Sequence, residues 1–324
     1  MATVSDPQHL GAFSNLELRH LAALDAVAET GTFGRAALVL GYTQSAVSQQ
    51  IAALEKAVGG AVFDRPGGPR PVSLTPLGKV VLAQGRDLLA RARGAAKAIE
   101  QFKSDETGRV DIGTFQSVSN GLLPALVTEL RREHPGVDIR LSEDELGVVP
   151  QLLAGELDLA FVVGPIRDDL DHVKLLDDPY VLVARHGEFP SGPVALDRLD
   201  GTTMVAYPQK CDGERVEAVL AASGVRPVIA FRTEDNGAVM AMVRAGMGPA
   251  LMPVLAVSVA EDDPDLCLHR LRPAIAPRQI YVAWHRGRTL STLASRVVEM
   301  AGDIARRHAS EHTAILGRRR AQVA

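Results

Sequence analysis

The chain has 324 residues, 46% apolar and 23% charged, with a formal net charge of −4. That length exceeds one small core and suits two or three domains, and the composition is that of a folded globular protein, not a disordered or fibrous one. No stretch of about 18 apolar residues runs without a charge, and the opening "MATVSDPQHLGAFSNLELRHL" lacks the basic start and apolar run of a signal peptide, so a cytoplasmic protein without membrane contact is expected.

The mean charge hides an asymmetry. Residues 1–80 are balanced, residues 81–103 carry a net +3, and the remainder carries −7, so the basic excess falls in the first third, where phosphate contacts would have to originate. Cys211 and Cys267 lie 56 positions apart with no CxxC and no histidine cluster, which argues against a disulfide framework or zinc site and leaves buried thiols or a redox pair.

From Leu16 to Leu54 the apolar spacing is helical, broken twice by turn chemistry. Leu21, Leu24 and Ala28 line a first helix that stops at "ETGT", with Gly31 as terminator. Thr32 caps a short second helix with Phe33, Ala36, Ala37 and Leu40 on its buried face, and Gly41 ends it. Thr43 caps the third, in which Val47, Ile51, Leu54 and Val58 form one inward stripe. Gln44, Ser45, Ser48 and Gln49 are left outward near its front end, in a stretch, Tyr42 to Ala53, that carries no charge.

Two small-residue-rich helices joined by a glycine turn form the pattern in which the second helix enters the DNA major groove front end first. Glutamine pairs bidentately with adenine N6 and N7, and serine donates to or accepts from either base, so neutral groups read sequence where lysine would mostly fix register. A polar first turn on an ordinary surface helix is the alternative. Next, "FDRPGGPRPVSLTPLGKVV" places Arg65 and Arg70 on either side of a Pro-Gly-Gly-Pro turn, then a short extended run, then a helix opening at Thr75 with Pro76 at its first position. This is either a two-stranded wing whose arginines lie over the backbone or minor groove, or a plain surface hairpin.

The run "LELRHLAALDAVAETGTFGRAALVLGYTQSAVSQQIAALEKAVGGAVFDR…VSLTPLGKVVL" resembles the winged helix-turn-helix of LysR-type transcriptional regulators at nearly every position over about 65 residues. The resemblance implies that Thr43, Gln44, Ser45, Ala46, Val47 and Ser48 open the recognition helix. Thr32, Arg35, Thr43, Gln44, Ser45, Ser48, Gln49, Arg65 and Arg70 are the candidates for DNA contact. Two positions depart from the family: Ser45 stands where proline is frequent and Gln49 where arginine is, which bears on base preference and phosphate grip. The resemblance also implies a pseudo-palindromic double-stranded operator and RNA polymerase as partners.

Beyond Leu77, Val81, Leu88, Ala92, Ala95, Ile99 and Phe102 share one stripe, the last five at heptad spacing, interrupted by Gln84. Such a helix of some 27 residues spans about 40 Å and leaves a seam for the same helix of a second copy, so a homodimer or homotetramer is expected; packing on its own regulatory half is the alternative.

After "SDETGR" short apolar runs alternate with amphipathic helices. "VDIGTF", "VDIRLS" and "LDLAFVVG" read as parallel strands with "NGLLPALVTELRREHP" and "GVVPQLLAGE" between them. A second set follows in "YVLVARH", "TTMVAYP", "PVIAFRTE", the helix "NGAVMAMVRAGMG", "PALMP" and "QIYVAWHRG", with "STLASRVVEMAGDIARR" as a closing helix. The expected architecture is α/β: an N-terminal winged helix-turn-helix over 16–75, a linker helix over 76–105, and a regulatory part over 106–309. That last part divides into two doubly wound, periplasmic-binding-protein-like subdomains, 108–176 with 290–309 and 177–289, and a basic tail closes the chain over 310–324.

Paired subdomains of this kind bind small molecules at the carboxyl ends of their strands. Phe115, Gln116 and Ser117 form the candidate lip of the first; Ser117 and Ser119 serve either a ligand or the cap of the following helix. "LLP…L…HP…L", "GELDLA" and "VRAGMGPALMP" resemble the effector domain of the same family. Positions carried over from that resemblance are Phe115, Ser117, Glu145 and Val163 on one side, and Tyr207, Pro208 and Met247 on the other. A carboxylate at Glu145 repels a simple acidic effector unless Arg232 or Lys210 is near, which favours a neutral, aromatic or cationic ligand, unless Glu145 faces solvent.

No phosphate loop, nucleophile elbow or HExxH is present, and Gly246-x-Gly248 follows a helix and lacks a third glycine. His308 and His312, one turn apart, suit a metal less well than a solvated helix end. The reading is a transcription regulator without catalysis, cofactor or metal. Its rivals are a solute-capture protein, which has no use for residues 16–75, and an α/β enzyme, which needs a catalytic constellation at the crevice.

Overall fold

The structure, a computed structural model, describes residues 15–64, 72–103, 108–257 and 263–318. Packing divides the chain into two compact units, Met1–Glu100 with Leu153–Glu156, and Gln101–Leu152 with Leu157–Ala324. No helix among the described residues is long and apolar enough to cross a membrane.

The first unit contains α1 (Leu18–Thr30), α2 (Phe33–Leu40), α3 (Gln44–Val58), the strands β1 (Phe63–Asp64) and β2 (Ser73–Leu74), and α4 (Pro76–Lys103). Gly31 and Gly41 end α1 and α2 at φ of 74° and 68°, a left-handed geometry that strains any residue with a β-carbon. The chain therefore reverses sharply twice, and the apolar faces of three short helices meet. Leu24, Val27, Val47, Ile51, Leu54 and Val62 are fully buried at that meeting point. β1 and β2 pair antiparallel, Phe63 with Leu74 and Asp64 with Ser73. The start of α4 is tied to this core: the Thr75 hydroxyl donates to Ala61 O at 2.7 Å and accepts from Gly78 N at 2.9 Å. A β-carbon on Gly78 would collide with the Val62 carbonyl, so this close approach requires glycine.

Along α4 the expected stripe divides. Val81 packs against the unit's own core with Leu82 and Leu89, whereas Leu88 and Ile99 are 46% and 55% exposed.

The second unit opens with β3 (Arg109–Thr114), α5 (Gln116–Gly121), α6 (Leu123–Glu133), β4 (Asp138–Glu143), α7 (Val148–Leu153), β5 (Leu159–Val163) and β6 (Leu170–Asp178). It continues through β7 (Tyr180–Arg185), β8 (Val194–Ala195), β9 (Thr203–Ala206), α8 (Glu214–Ala222), β10 (Val228–Arg232), α9 (Asn236–Arg244), β11 (Ala250–Pro253) and α10 (Val254–Val257). It closes with β12 (Leu266–His269), β13 (Leu271–Arg272), β14 (Arg278–His285) and α11 (Thr292–Arg318).

Two five-stranded sheets result, ordered β4-β3-β5-β14-β6 and β10-β9-β11-β7-β12, with β8 and β13 as a separate parallel pair. The parallel pairings follow the expected βαβ units: β3 with β4 and β5, and β9 with β10 and β11. Both sheets are nevertheless mixed, because β14 runs antiparallel to β5 and β6, and β7 antiparallel to β11 and β12.

Two boundaries differ from the sequence reading: α11 continues through the expected start of the tail at 310 to Arg318, and one strand changes subdomain. Residues 278–285, placed there in the second subdomain, form a central strand of the first sheet, where Ile280, Val282 and Ala283 are fully buried. A buried apolar run states that it lies inside a sheet but not which sheet, and the partner strands are distant in sequence. The nine-residue β6 escapes the sequence pattern for a related reason: it is an edge strand whose exposed Asp, His and Lys residues mask its alternation. In β7 the alternation is clean, with Tyr180 and Leu182 in the core on one side of the sheet and Val181 and Val183 in the core on the other.

The chain passes from the first sheet to the second between β6 and β7, and returns before β14. Asp178, at the end of β6, is the register partner of Arg278, at the start of β14. Both side chains are buried, 2% and 4% exposed, and Arg278 Nε donates to Asp178 Oδ2 at 2.9 Å. Arg278 also donates through Nη2 to Ser117 Oγ at 2.6 Å and lies 5.5 Å from the centre of the Phe115 ring, while Asp178 Oδ1 accepts from Leu255 N at 2.9 Å. Removing one member strands a charge in a dry interior. Arg278→Met is therefore expected to destabilise this unit by about 3–5 kcal/mol in urea unfolding, and adding Asp178→Leu to recover part of that loss. A second change that deepened the loss would show that the pair is not the dominant constraint.

Candidate nucleic-acid interface and ligand cleft

At the front of α3, Thr43 is the cap: its hydroxyl accepts from Ala46 N at 3.2 Å and lies 3.0 Å from Ser45 Oγ. The equivalent place on α2 is held by Thr32, which accepts from Arg35 N at 3.2 Å. Two of the nine DNA candidates are thus committed at least in part to helix starts, satisfying backbone donors that the first turn leaves unpaired. Gln44, Ser45, Gln49 and Arg35 are exposed and Ser48 is half-buried. Gln44 lies beside α2, where a β-carbon on Gly34 would stand 3.9 Å from its Oε1. Arg65 and Arg70 lie outside the described residues, as do the side chains of Cys211 and His312 and the chain beyond Arg318.

The surface around α3 is thus sorted by chemistry. Its outward front is amide and hydroxyl, and its inward face is Val47, Ile51 and Leu54, all fully buried. Next to it, Leu38, Val39 and Tyr42 are 83%, 71% and 51% exposed, an apolar shoulder at the turn between α2 and α3.

In the second unit a cleft of ≈ 770 Å³ opens beside the ends of β3 and β5. Phe115, Glu145 and Val163 of the expected set line it. Phe115 and Phe161, each nearly fully buried, give it aromatic walls, Leu146, Val148 and Val149 add aliphatic surface, and Lys210, Arg215 and Gln279 bring polar groups. Lys210 belongs to a π-type turn, Gln209–Gly213, and Arg215 to the first turn of α8, where its Nη2 donates to Pro277 O at 2.8 Å.

The other expected ligand residues do not line this cleft. Ser117 is buried and its hydroxyl takes the Arg278 hydrogen bond. Gln116 accepts through Oε1 from Asn236 N at 2.6 Å, and Asn236 Oδ1 accepts from the Tyr207 hydroxyl at 2.7 Å. These three join the front of α5 to the front of α9, so protein groups fill the place expected for a ligand. Tyr207 borders a separate void of only ≈ 20 Å³. Pro208 leads into the π-type turn, and Met247 follows α9 on the surface, 39% exposed. Of the two cations considered as neighbours for Glu145, Lys210 lines the same cleft, whereas Arg232 is held by Glu217 at 2.5 Å and by Tyr207 O at 2.9 Å.

Arg215 is absent from the sequence-based set because α8 is absent from the sequence-based elements. Its signal is present: Val216, Val219 and Leu220 have helical spacing, with Val216 and Leu220 buried. Among the described residues no group of three or more His, Cys, Asp or Glu side chains is arranged to hold a metal ion.

Comparison with known proteins agrees with this anatomy. The family described as bacterial regulatory helix-turn-helix protein, lysR family, matches residues 18–79, and the LysR substrate binding domain matches residues 103–306. The HTH-type transcriptional regulator IlvR of Caulobacter vibrioides is 32% identical over 245 residues, 73% of this chain and 81% of that protein. The HTH-type transcriptional regulator CbbR of Rhodospirillum rubrum is 28% identical over 287 residues, 87% of this chain and 94% of that one. Among solved structures, full-length CbnR complexed with its target DNA shares the fold with a TM-score of 0.57 at 22% identity, covering 89% of this chain and 100% of that one. With the helix-turn-helix of the first unit and the ligand-sized cleft of the second both inside matched regions, the chain belongs to the LysR family of DNA-binding transcription regulators.

Proposed function

We propose that this regulator acts as a homo-oligomer that reads a pseudo-palindromic stretch of double-stranded DNA through the front of α3 and answers to a small molecule held in the cleft of its α/β unit. One observation carries the reading: Gln44, Ser45 and Gln49 stand exposed without a charge among them, on a helix whose opposite face is locked into a fully buried core. Neutral donors and acceptors on a rigid helix front fit base edges, whereas a helix built to grip phosphate would carry Lys or Arg there. Arg35, in the first turn of α2, fits the phosphate backbone, and Arg65 and Arg70 are assigned the same task from the sequence.

Self-association is the counterpart of a two-fold operator. The exposed Leu88 and Ile99 on α4 supply an apolar seam for a second copy. RNA polymerase is the remaining partner of this reading, as the machine a transcription regulator acts upon. The reading is of a binding protein that needs no catalytic group, cofactor or metal.

Gln44→Ala or Gln49→Ala is expected to weaken binding to the cognate operator by about 1–3 kcal/mol for each base edge no longer paired, with little change on random DNA, as read by fluorescence anisotropy at one fixed salt concentration. Equal losses on both DNAs would remove the base-reading role. Arg35→Ala is expected instead to lower affinity for every sequence and to flatten the salt dependence by about one unit of slope, as are Arg65→Ala and Arg70→Ala. An unchanged slope would take the arginine off the phosphate backbone. For the seam, Leu88→Glu with Ile99→Glu is expected to lower the mass of the assembly in light scattering; a native mass would place the oligomer interface elsewhere.

A further inference from the structure

We infer that the turn Leu153–Glu156 is the route by which occupancy of the cleft is passed to α4, and so to the helix-turn-helix. The inference rests on the cleft reading above and names how that site regulates. These four residues belong to the same compact unit as α4, whereas the chain up to Leu152 and from Leu157 onward belongs to the α/β unit. A short piece of chain is thus held by one unit while both of its covalent neighbours are held by the other.

The turn is fitted to α4 at two points. Gly155 stands at φ 76°, and a β-carbon there would lie 2.9 Å from the Ala90 carbonyl oxygen, so backbone meets backbone with no room for a side chain. Ala90 is buried, and Arg93, one helical turn on, donates through Nη1 to Ala154 O at 2.6 Å. The same stretch of α4 is bound to α1 and the head's core: Arg86 Nε donates to Asp25 Oδ1 at 2.7 Å, Gly85 packs against Leu21, and Leu82 and Leu89 join the cluster that contains Val47, Ile51 and Leu54. A displacement of α4 at Ala90 is therefore felt by the core that holds α3.

The other end of the linkage is at the cleft. α7 leads directly into the turn, and Val148 and Val149, its first two residues, line the cleft with Leu146 just ahead of them. Walls formed by the rest of the unit are pinned: Phe115 lies against the buried Arg278, Ser117 and Gln116 are hydrogen-bonded to Arg278 and Asn236, and the bare face of Gly121 is filled by the buried Leu255. α7 is instead held by the buried side chains of Val148 and Leu152, apolar contacts that permit a small slide. Beyond the turn the chain is fixed again. Asp158 Oδ2 accepts from Asp111 N at 2.9 Å, and Arg288 donates to Leu157 O at 3.0 Å and to Asp158 Oδ1 at 2.7 Å. With that end fixed, a slide of α7 is taken up by Leu153–Glu156, which press on α4.

The test uses an indole ring as a built-in occupant of the cleft. Val163→Trp is made in the full chain, with Gln279→Trp, at an exposed position lining the same cleft, as the second variant where the first does not fold. Both carry Trp284→Phe, which removes the chain's one native tryptophan and leaves the new indole as the sole fluorescent reporter. Emission shifted to the blue and shielded from acrylamide shows the ring inside the cleft. The occupied protein is then expected to bind its operator with an affinity changed about fivefold or more, with altered hydrogen exchange over residues 86–96 of α4. Measured against Arg93→Ala alone, the same occupant is expected to change operator affinity by less than about twofold and to leave α4 exchange as it was, whereas Arg93→Lys, which keeps a donor for Ala154 O, restores both responses. The inference is overturned if the buried indole leaves operator affinity or α4 exchange unchanged, or if both respond equally with and without Arg93; the cleft reading stands in either case. An indole that stays in water at both positions takes down the cleft reading, and the inference with it.

Discussion

Where the two strands that cross between the halves of the α/β unit run side by side, Asp178 and Arg278 form an ion pair sealed from solvent. Burying two charges is unfavourable unless the geometry is tight and the remaining donors and acceptors are met. Here they are met by groups from several elements: the Ser117 hydroxyl at α5, the Leu255 amide at α10 and the Phe115 ring at the cleft wall. Each partner is thereby held in place by the others. The pair therefore fixes the crossing strands, the front of α5 and one wall of the ligand space in a single arrangement. Phe115 belongs both to the cleft wall and to the packing around the crossing cation, so cleft and crossing share a residue without any intervening chain.

The helix-turn-helix unit is organised by a different division of labour. Its interior is built of small and branched apolar residues at close approach, and two left-handed glycine turns aim three short helices at one core. Because α3 is anchored by Val47, Ile51 and Leu54, its opposite face is free to carry whatever chemistry recognition requires without weakening the fold. Charge is kept off that front, where the exposed Gln44, Ser45 and Gln49 are all neutral. The exposed shoulder of Leu38, Val39 and Tyr42 has no structural account, since none of the three contributes to the core.

Within the α/β unit, hydrogen-bonding groups that the carboxyl ends of the strands would offer to a ligand are already used by the protein. Gln116, Asn236 and Tyr207 form a chain of bonds between the fronts of α5 and α9, and Ser117 is committed to Arg278. The open space lies to the side, along β3 and β5, where apolar walls leave room and three charged residues stand around them.

What the sequence alone determined is whatever depends on near neighbours along the chain. The Thr32 and Thr43 caps, the Gly31 and Gly41 stops and the Val47, Ile51, Leu54 stripe are all consequences of residues within a few turns of one another, so the three helices and their turns were legible in the sequence. The parallel strands β3, β4 and β5 were legible for the same reason, through their apolar runs and intervening helices. Tertiary structure alone decided what depends on distant partners. β14 chose the first sheet because β5 and β6 flank it there, a pairing that no local pattern encodes. Ser117 was drawn from the ligand to Arg278, 161 positions away, and Gln116 to Asn236, 120 positions away. Arg215 and Lys210 reached the cleft through a π-type turn and a helix start that carry no ligand signature in sequence. Hydrogen-bond partners and ion pairs are selected by proximity in space, and a side chain near the carboxyl end of a strand has both ligand and protein as candidates until the fold brings one of them within about 3 Å.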